Sequence, residues 1–194
     1  MIIAALGSSF AAGPTLEPVA DRAAMRSADN YPHLLAGLLG ASLVDLTVSG
    51  ATTATILDTP QVIAPRVRFA PQIDGLPVGA DLVTITAGGN DLKFIGSMVF
   101  TAWRRHDPAG ALTKLMRADY PDGVPTATPG VVAEVAAGLA RIVAAARSRA
   151  PGARVLLVDY LTVLDAHSGS AVVDFAADEL DAFRALQSAL VHAY

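Results

Sequence analysis

Residues 81–90 read Asp-Leu-Val-Thr-Ile-Thr-Ala-Gly-Gly-Asn, and this stretch is the clearest strand followed by a turn in the chain. Val83, Ile85 and Ala87 alternate with threonines, as in a strand that packs one face on a core, and the two glycines end it. Three other short apolar runs also predict strands: Ile2 to Leu6, Ser42 to Val48 and Arg154 to Tyr160.

Segments with helical patterns separate these strands. Asn30 is a predicted N-cap with Pro32 in the first turn, and Gly40 ends that helix. The other predicted helices are Thr52 to Leu57, Lys93 to Arg105, Gly110 to Arg117, Val131 to Arg149 with Thr128 as N-cap, and a last helix starting near Val173. Residues 120–130, with three prolines and two glycines, predict a loop.

Alternation of apolar strands with helices is typical of a parallel sheet covered by helices on both faces. We therefore predict a doubly wound α/β fold, with residues 1–194 forming a single domain. The chain has 194 residues, of which 53% are hydrophobic and 16% charged, so intrinsic disorder is excluded.

Charge and composition also exclude several classes of function. The formal net charge is −4 and no block of Lys and Arg occurs, which argues against nucleic acid as a partner. The chain has no Cys, so disulfides, thiolate catalysis and cysteine-bound metals are excluded. No phosphate-binding Gly-x-x-x-x-Gly-Lys pattern occurs, and Gly-x-Gly-x-x-Gly does not follow the first strand.

No targeting segment is recognisable. The start of the chain lacks the basic residues and the length of a signal peptide, and Glu134 and Arg141 interrupt the most apolar stretch, Val131 to Ala146. We therefore expect no transmembrane segment and a cytoplasmic location by default. Secretion is the alternative if a signal has been removed.

The strand ends carry the residues from which function can be inferred. Gly7-Ser8-Ser9-Phe10 follows the first strand, Ser49-Gly50-Ala51-Thr52 the second and Gly88-Gly89-Asn90-Asp91 the third. Ligands of such sheets bind at the carboxyl ends of the strands, so these blocks are candidates for a catalytic or ligand-binding site. Taken singly, each block is also compatible with a plain turn, in which Ser9, Asn90 or Asp91 caps the following helix.

Taken together, the three blocks resemble the SGNH (GDSL-type) serine hydrolase family over roughly residues 1–165. The resemblance implies a flavodoxin-like sheet and makes Ser9 the nucleophile. It assigns the oxyanion hole to the backbone N–H groups of Ser9 and Gly50 and to the side chain of Asn90. Ser8 stands where the family usually has Asp, and Phe10 where it has Leu.

The reaction implied by the resemblance is that of an esterase or lipase. It would hydrolyse a small-molecule carboxylic ester through an acyl-enzyme, with neither a metal nor an organic cofactor. The apolar segment Phe94 to Gly123 would suit a lipid-like or short-chain ester, although ordinary packing explains the same pattern.

The family's Asp-x-x-His block has no counterpart in the chain. None of His33, His106, His167 and His192 has Asp three residues before it, and only His167 follows a strand into a loop at the expected end of the sheet. We therefore expect a truncated form of the family fold, without its last strand and helix, which would expose a sheet edge.

Two alternatives to catalysis remain at this point. One is a non-catalytic α/β module that binds a small ligand with the same turns. The other is a phosphate-binding doubly wound protein, which would respond to nucleotides with a thermal shift.

Overall fold

The computed structural model describes residues 1–120, 123–169 and 174–194. In chain order its strands are β1 (Ile2–Gly7), β2 (Val19–Asp21), β3 (Arg26–Ser27), β4 (Ser42–Asp45), β5 (Gln61–Ala64), β6 (Val67–Phe69), β7 (Leu82–Thr86) and β8 (Arg154–Leu157). Its helices are α1 (Ser9–Ala12), α2 (Tyr31–Leu39), α3 (Thr53–Leu57), α4 (Phe94–His106), α5 (Ala111–Met116), α6 (Pro129–Arg149) and α7 (Ala177–Ala193), with a 3₁₀ helix at Gln72–Gly75.

The four predicted strands form one sheet with the order β4-β1-β7-β8, and every pair in it is parallel. The predicted α/β fold with a parallel sheet is therefore confirmed. From β1 the chain crosses first to β4 on one side and later to β7 on the other side. The strand order thus reverses at β1, and the carboxyl end of β1 lies at the switch point where such sheets bind ligands.

The described chain divides into two compact units. Unit 1 contains residues Met1–Gly88 and Ala136–Tyr160, and unit 2 contains Gly89–Val135 and Leu161–Tyr194. Unit 1 holds the sheet, α1 to α3 and most of α6. Unit 2 holds α4, α5, the first turns of α6 and α7. The expectation of a single domain stays a prediction.

Capping residues explain where α2 begins and ends. The Asn30 side chain accepts a hydrogen bond from the His33 N–H, which confirms the predicted N-cap of α2. Gly40 has a left-handed backbone with φ of +58° and ends the helix, as the sequence predicts.

Several element boundaries differ from prediction by a few residues. The second strand was predicted to reach Val48 but ends at Asp45. The last helix begins at Ala177, whereas its predicted start at Val173 lies outside the described residues, as do residues 121 and 122 of the predicted loop.

α6 is long and apolar enough to cross a membrane when judged by length and composition, and it is the one such helix among the described residues. In unit 1 its side chains Leu139, Ile142 and Ala146 are buried in the core. Of its most apolar 18 residues 28% are buried, so core packing accounts for part of the apolar composition of α6.

β8 is more exposed to solvent than its apolar sequence predicts. Its sequence is apolar, which predicts a strand covered on both faces, but β8 lies at an edge of the sheet and is largely exposed. Leu156 and Leu157 keep 43% and 37% of their surface accessible. Apolar composition alone did not distinguish a central strand such as β7 from an apolar edge strand.

Candidate active site

The first strand ends at a glycine that the geometry requires. Gly7 has φ of +153°, and a Cβ atom at this position would lie 2.5 Å from the carbonyl oxygen of Thr86. No side chain fits between two backbones at that distance. The close approach lets β1 and β7 stay paired up to the point where the chain turns away.

Three strand ends meet around this turn. The Ser8 N–H donates to the Thr86 carbonyl at 3.0 Å, and the Val48 N–H donates to the Gly7 carbonyl at 3.1 Å. Thr86 lies two residues before Gly88, and Val48 two residues before Gly50. The first two predicted blocks, and the start of the third, are thus brought together within unit 1.

A buried side chain that the sequence did not reveal completes the turn. The Gln72 side chain accepts a hydrogen bond from the Gly7 N–H at 2.7 Å and donates one to the Gly7 carbonyl at 2.9 Å. β4 ends before it reaches a position beside Gly7. The Gln72 amide therefore forms hydrogen bonds with Gly7 that a neighbouring strand would otherwise form. Gln72 lies 65 residues from Gly7 in the sequence, and no local pattern points to it.

Ser8, one of the two residues that depart from the family pattern, is fully buried and hydrogen-bonded. Its Oγ lies 3.0 Å from the hydroxyl of Tyr160, and the ring of Tyr160 packs on Phe10 with 4.5 Å between the ring centroids. Tyr160 therefore contacts both neighbours of Ser9. Its position three residues after β8, at the predicted fourth strand end, was the available signal for such a role.

Ser9 itself is the first residue of α1 and is partly exposed. The N-cap of α1 is Ser8, so the alternative in which Ser9 caps the next helix is wrong. Among the described residues, neither Ser9 Oγ nor the Ser9 N–H has a hydrogen-bond partner. Both groups remain available to a ligand.

Gly50 lies in an exposed turn with φ of +83°. Its N–H also has no hydrogen-bond partner within the described parts of the chain. The turn is held from behind by Gln61, whose side chain donates to the Ser49 carbonyl at 2.8 Å. A left-handed backbone of this kind favours glycine.

Asn90 and Asp91 belong to unit 2, two and three residues after Gly88. Here the Lys93 N–H donates to the Asn90 carbonyl at 3.0 Å, and the Phe94 N–H to the Gly89 carbonyl at 2.9 Å. The N-cap of α4 is Lys93, so the interpretation of Asn90 or Asp91 as its N-cap is wrong.

A partly buried tyrosine supports the same end of the sheet. The Tyr31 hydroxyl lies 2.9 Å from Thr86 Oγ1, at the last residue of β7. Burial raises the pKa of Tyr31 above its usual range, and the hydrogen bond to Thr86 opposes that shift in part. The phenol is therefore neutral at physiological pH, and it fixes the Thr86 side chain.

The imidazole rings of three histidines have partners elsewhere in the structure. His33 Nδ1 lies 2.7 Å from Asn30 Oδ1 and 3.6 Å from Asp45 Oδ2, and His192 Nδ1 lies 2.8 Å from the Ser188 carbonyl. In unit 2, His106 Nε2 lies 2.9 Å from Asp174 Oδ2, whereas His167 donates to Asp165 through its backbone N–H and not through its ring.

Hydrogen bonds to Asp165 lower the pKa of its carboxyl, the Ser168 hydroxyl contributing most. This carboxylate therefore organises its own loop. Across residues 1–120, 123–169 and 174–194, no group of three His, Asp or Glu side chains is arranged to hold a metal ion.

Comparison with known proteins decides the family. Residues 5–194 match the model of the GDSL-like Lipase/Acylhydrolase family. The chain belongs to this family. The resemblance inferred from the three sequence blocks is thus confirmed.

One relative in this family is Lipase 2 from Streptomyces coelicolor, which is 34% identical over 192 residues. The match covers 96% of this chain but 62% of that protein, so the chain spans less than two thirds of its relative's length.

Two solved structures share the fold. An extracellular lipase from Streptomyces rimosus superposes with a TM-score of 0.69 at 24% identity, covering 100% of this chain and 74% of that one. Phospholipase A1 from Streptomyces albidoflavus gives a TM-score of 0.68 at 21% identity, covering 99% and 72%.

Proposed function

We propose that this chain carries the nucleophile and oxyanion hole of a serine esterase or lipase that hydrolyses carboxylic esters. The observation that carries the proposal is the set of available groups where the strand ends meet. Ser9 Oγ, the Ser9 N–H and the Gly50 N–H have no hydrogen-bond partner among the described residues, whereas Gly7 and Ser8 beside them are fully bonded. A rigid turn that leaves one hydroxyl and two donors available suits acyl transfer.

In the proposed reaction, Ser9 Oγ attacks the ester carbonyl carbon while a base takes the hydroxyl proton. The carbonyl oxygen becomes an oxyanion, which the N–H groups of Ser9 and Gly50 and the Asn90 carboxamide stabilise. The alcohol leaves with a proton, and water then attacks the acyl-enzyme to release the acid and restore Ser9. Each oxyanion donor contributes about 3–4 kcal/mol to such a transition state.

Asn90 is part of this proposal because of its chemistry and its place in the chain. A neutral carboxamide donates a hydrogen bond without adding a charge to the site, and Asn90 follows β7, the strand paired with β1. We expect Asn90→Ala to lower kcat by roughly 10²–10³-fold with little change in KM. Asn90→Asp, which replaces the hydrogen-bond donor with a negative charge, should lower kcat at least as much as Asn90→Ala does.

The central test compares two adjacent serines. Hydrolysis of a p-nitrophenyl acyl ester and labelling by a fluorophosphonate are measured for the wild type, Ser9→Ala and Ser8→Ala. We expect the wild type to carry the fluorophosphonate adduct on the peptide that contains Ser9. The adduct should be absent from Ser9→Ala and present in Ser8→Ala. The non-catalytic ligand-binding alternative predicts equal hydrolysis by all three chains and no adduct on Ser9.

The proton acceptor is tested in the same assay by adding imidazole. Residues 1–194 contain no Asp-x-x-His block, and imidazole can take the Ser9 proton from solution. We expect imidazole to increase the difference between the wild-type rate and the Ser9→Ala rate. A difference of zero at every imidazole concentration would contradict the role of Ser9.

Substrate and location follow as further parts of the proposal. The Streptomyces coelicolor relative is named a lipase, which supports a lipid-like ester as the substrate class. The Streptomyces rimosus protein is described as extracellular, and this favours secretion over the cytoplasmic default. Rates on esters of increasing acyl length, measured against acetylated sugars, test the substrate class.

A further inference from the structure

A carboxylate with little solvent exposure joins the two segments of unit 1 that lead to Ser9 and Gly50. Asp45 is the last residue of β4, and its side chain is 6% exposed. Its two oxygens are bonded to different segments. Oδ2 accepts a hydrogen bond from Asn30 Nδ2 at 2.8 Å. Oδ1 accepts from the Thr47 N–H at 3.0 Å and from the Thr47 hydroxyl at 2.6 Å.

Asn30 extends the first of these contacts to the helix that begins with Ser9. It is 1% exposed, and its Nδ2 also donates to the carbonyl of Ala12, the last residue of α1, at 3.2 Å. Its Oδ1 accepts from the His33 N–H at 3.1 Å and lies 2.7 Å from His33 Nδ1. Both hydrogens of the Asn30 amide are therefore used, one on Asp45 and one on α1.

α1 is a single turn, so a displacement of its end reaches its beginning directly. The Ala12 N–H donates to the Ser8 carbonyl at 2.8 Å, and the Gly13 N–H donates to the Ser9 carbonyl at 2.8 Å. Asn30 thus holds α1 at the residue that is bonded back to Ser8. The N–H and hydroxyl groups of Ser9 lie at the other end of the same turn.

The other oxygen of Asp45 is bonded to the segment that leads to Gly50. Thr47 is fully buried, and Gly50 lies three residues after it. The Ala51 N–H donates to the Val48 carbonyl at 3.1 Å and closes the turn around Gly50. A displacement of Thr47 therefore has a short path to the Gly50 N–H.

Arg26 compensates the charge of the carboxylate within the chain. Its guanidinium donates to the carbonyls of Asp45 and Thr47 at 2.6 Å and 2.9 Å, and its Nε lies 3.7 Å from Asp45 Oδ1. The carboxylate is thus paired as well as hydrogen-bonded, as a charge with little access to water has to be. Asp45, Asn30, Thr47 and Arg26 are here called the Asp45 network, and all four belong to unit 1.

We propose that Asp45 is a positioning residue, which sets the Ser9 and Gly50 N–H groups in the arrangement that an oxyanion needs. This rests on the proposed function, in which both N–H groups belong to the oxyanion hole. Because such donors have to be fixed before the charge develops, the bridge acts on the transition state more than on substrate binding. An aspartate that only shaped its own turn would need the Thr47 contact alone. The contact with Asn30, 15 residues away, joins that turn to α1.

Asp45→Asn breaks the bridge with little change in shape. With its oxygen toward the two donors of Thr47, the new amide directs its NH₂ group at the NH₂ group of Asn30. Two donors then meet, and Asn30 no longer holds the Ala12 carbonyl in place. Hydrolysis of a p-nitrophenyl ester is measured at a fixed imidazole concentration and corrected by the Ser9→Ala rate. We expect kcat to fall by roughly 10–100-fold while KM stays within about twofold.

A paired exchange separates positioning from stability. Asn30→Asp combined with Asp45→Asn again places a donor opposite an acceptor, and it keeps an acceptor for Thr47 and one for the His33 N–H. However, it leaves the Ala12 carbonyl without its donor. We expect the double variant to have a higher urea midpoint than either single variant. Its kcat should nevertheless stay ~10-fold or more below that of the wild type.

Ser27→Ala is the matched control. Ser27 is 1% exposed in the same unit, and its hydroxyl accepts from the Asp29 N–H at 2.8 Å and donates to the Pro18 carbonyl at 3.4 Å. These contacts lie outside the Asp45 network. We expect this variant to lower the urea midpoint and to leave kcat and KM within about twofold of the wild type.

Backbone amide NMR gives a readout that needs no catalysis. Asp45→Asn should shift the signal of the Ser9 N–H, and Asn30→Asp should shift that of the Gly50 N–H, because each substitution reaches the other segment through the bridge. Ser27→Ala should shift neither signal. If the wild type shows no Ser9-dependent hydrolysis, the proposed function fails, and these spectra still decide whether Asp45 couples the two turns.

Three results would overturn the proposal. Wild-type kcat in a folded Asp45→Asn chain would show that the bridge does not position the donors. Recovery of kcat together with the urea midpoint in the double variant would show that the Asp45 network only stabilises the fold. Unshifted Ser9 and Gly50 signals would show that the two turns are not coupled. If Asp45→Asn does not fold, the double variant decides by its kcat and its spectrum.

Discussion

Replacing Gln72 with leucine should destabilise the protein more than any feature of the local sequence suggests. The substitution removes the 2.7 Å and 2.9 Å hydrogen bonds that join Gln72 to the backbone of Gly7. The Gly7 carbonyl keeps its bond from the Val48 N–H, but the buried Gly7 N–H loses its partner. An unsatisfied buried donor costs about 1–3 kcal/mol, and leucine fills a similar volume, so no large cavity adds to this.

We therefore expect Gln72→Leu to lower the free energy of unfolding by about 2–3 kcal/mol. For a chain of this size that corresponds to a fall in Tm of roughly 5–10 °C. Urea unfolding followed by circular dichroism measures the change, with the m-value expected to stay constant.

Gln61→Leu is the matched control. Gln61 makes one hydrogen bond, to the Ser49 carbonyl, and its Oε1 is buried with no partner in the described structure. Removing that oxygen offsets the loss of the bond, so we expect a change below about 1 kcal/mol. If Gln72→Leu cost no more than Gln61→Leu, the argument that Gln72 replaces a neighbouring strand would be wrong.

Gln72→Glu tests whether the side chain at position 72 has to donate a hydrogen bond to the Gly7 carbonyl. Protonated glutamic acid can keep both hydrogen bonds, whereas the carboxylate would face the Gly7 carbonyl with no proton to donate. The folded-state pKa of this carboxyl should therefore lie above its unfolded value of about 4.3. The stability it contributes is present below pH ~4 and is lost as the pH rises through the folded-state value.

Three further substitutions probe the same turn. Gly7→Ala places a Cβ atom 2.5 Å from the Thr86 carbonyl and should cost ~3 kcal/mol or more, measured as the urea midpoint. Tyr160→Phe loses the bond to Ser8 but keeps the aromatic contact, so it should cost about 1 kcal/mol; a cost near zero would mean that this bond is not made in solution. Burial raises the pKa of Tyr31, so the stability that its neutral phenol contributes should be lost as the pH rises above ~10. Free energies of unfolding measured from about pH 9 to 11 should show this loss for the wild type and not for Tyr31→Phe.

The sheet could be predicted because its strands carry their own signals. β1 and β7 are apolar, contain alternating or small side chains and have a glycine at or shortly after their ends, and these properties depend only on neighbouring residues. Asn30 and Gly40 mark the ends of α2 in the same local way. The small hairpins β2–β3 and β5–β6 were missed because their strands have two to four residues, too few to show a period.

The candidate site was predictable only in part, for a physical reason. Glycine and serine at strand ends indicate where a ligand approaches, so Ser9 and Gly50 could be predicted as candidates. Gln72 contacts the Gly7 backbone and Tyr160 the Ser8 side chain across 65 and 152 residues of sequence, and nothing in the sequence near Gln72 or Tyr160 identifies these partners. The apolar sequence of β8 predicts a strand but not its exposed position, because an edge position is a property of the sheet and not of the strand.

The dependence of the Gly7 turn on Gln72 and Thr86 has a consequence for how the chain is made. Ser9 leaves the ribosome before Gln72 and Thr86, the residues that shape its surroundings. Until the chain has been extended past Thr86, neither the close backbone pairing nor the amide bridge can form. A nascent fragment therefore lacks the folded surroundings of Ser9, and the Gly7 turn has to await the assembly of distant segments.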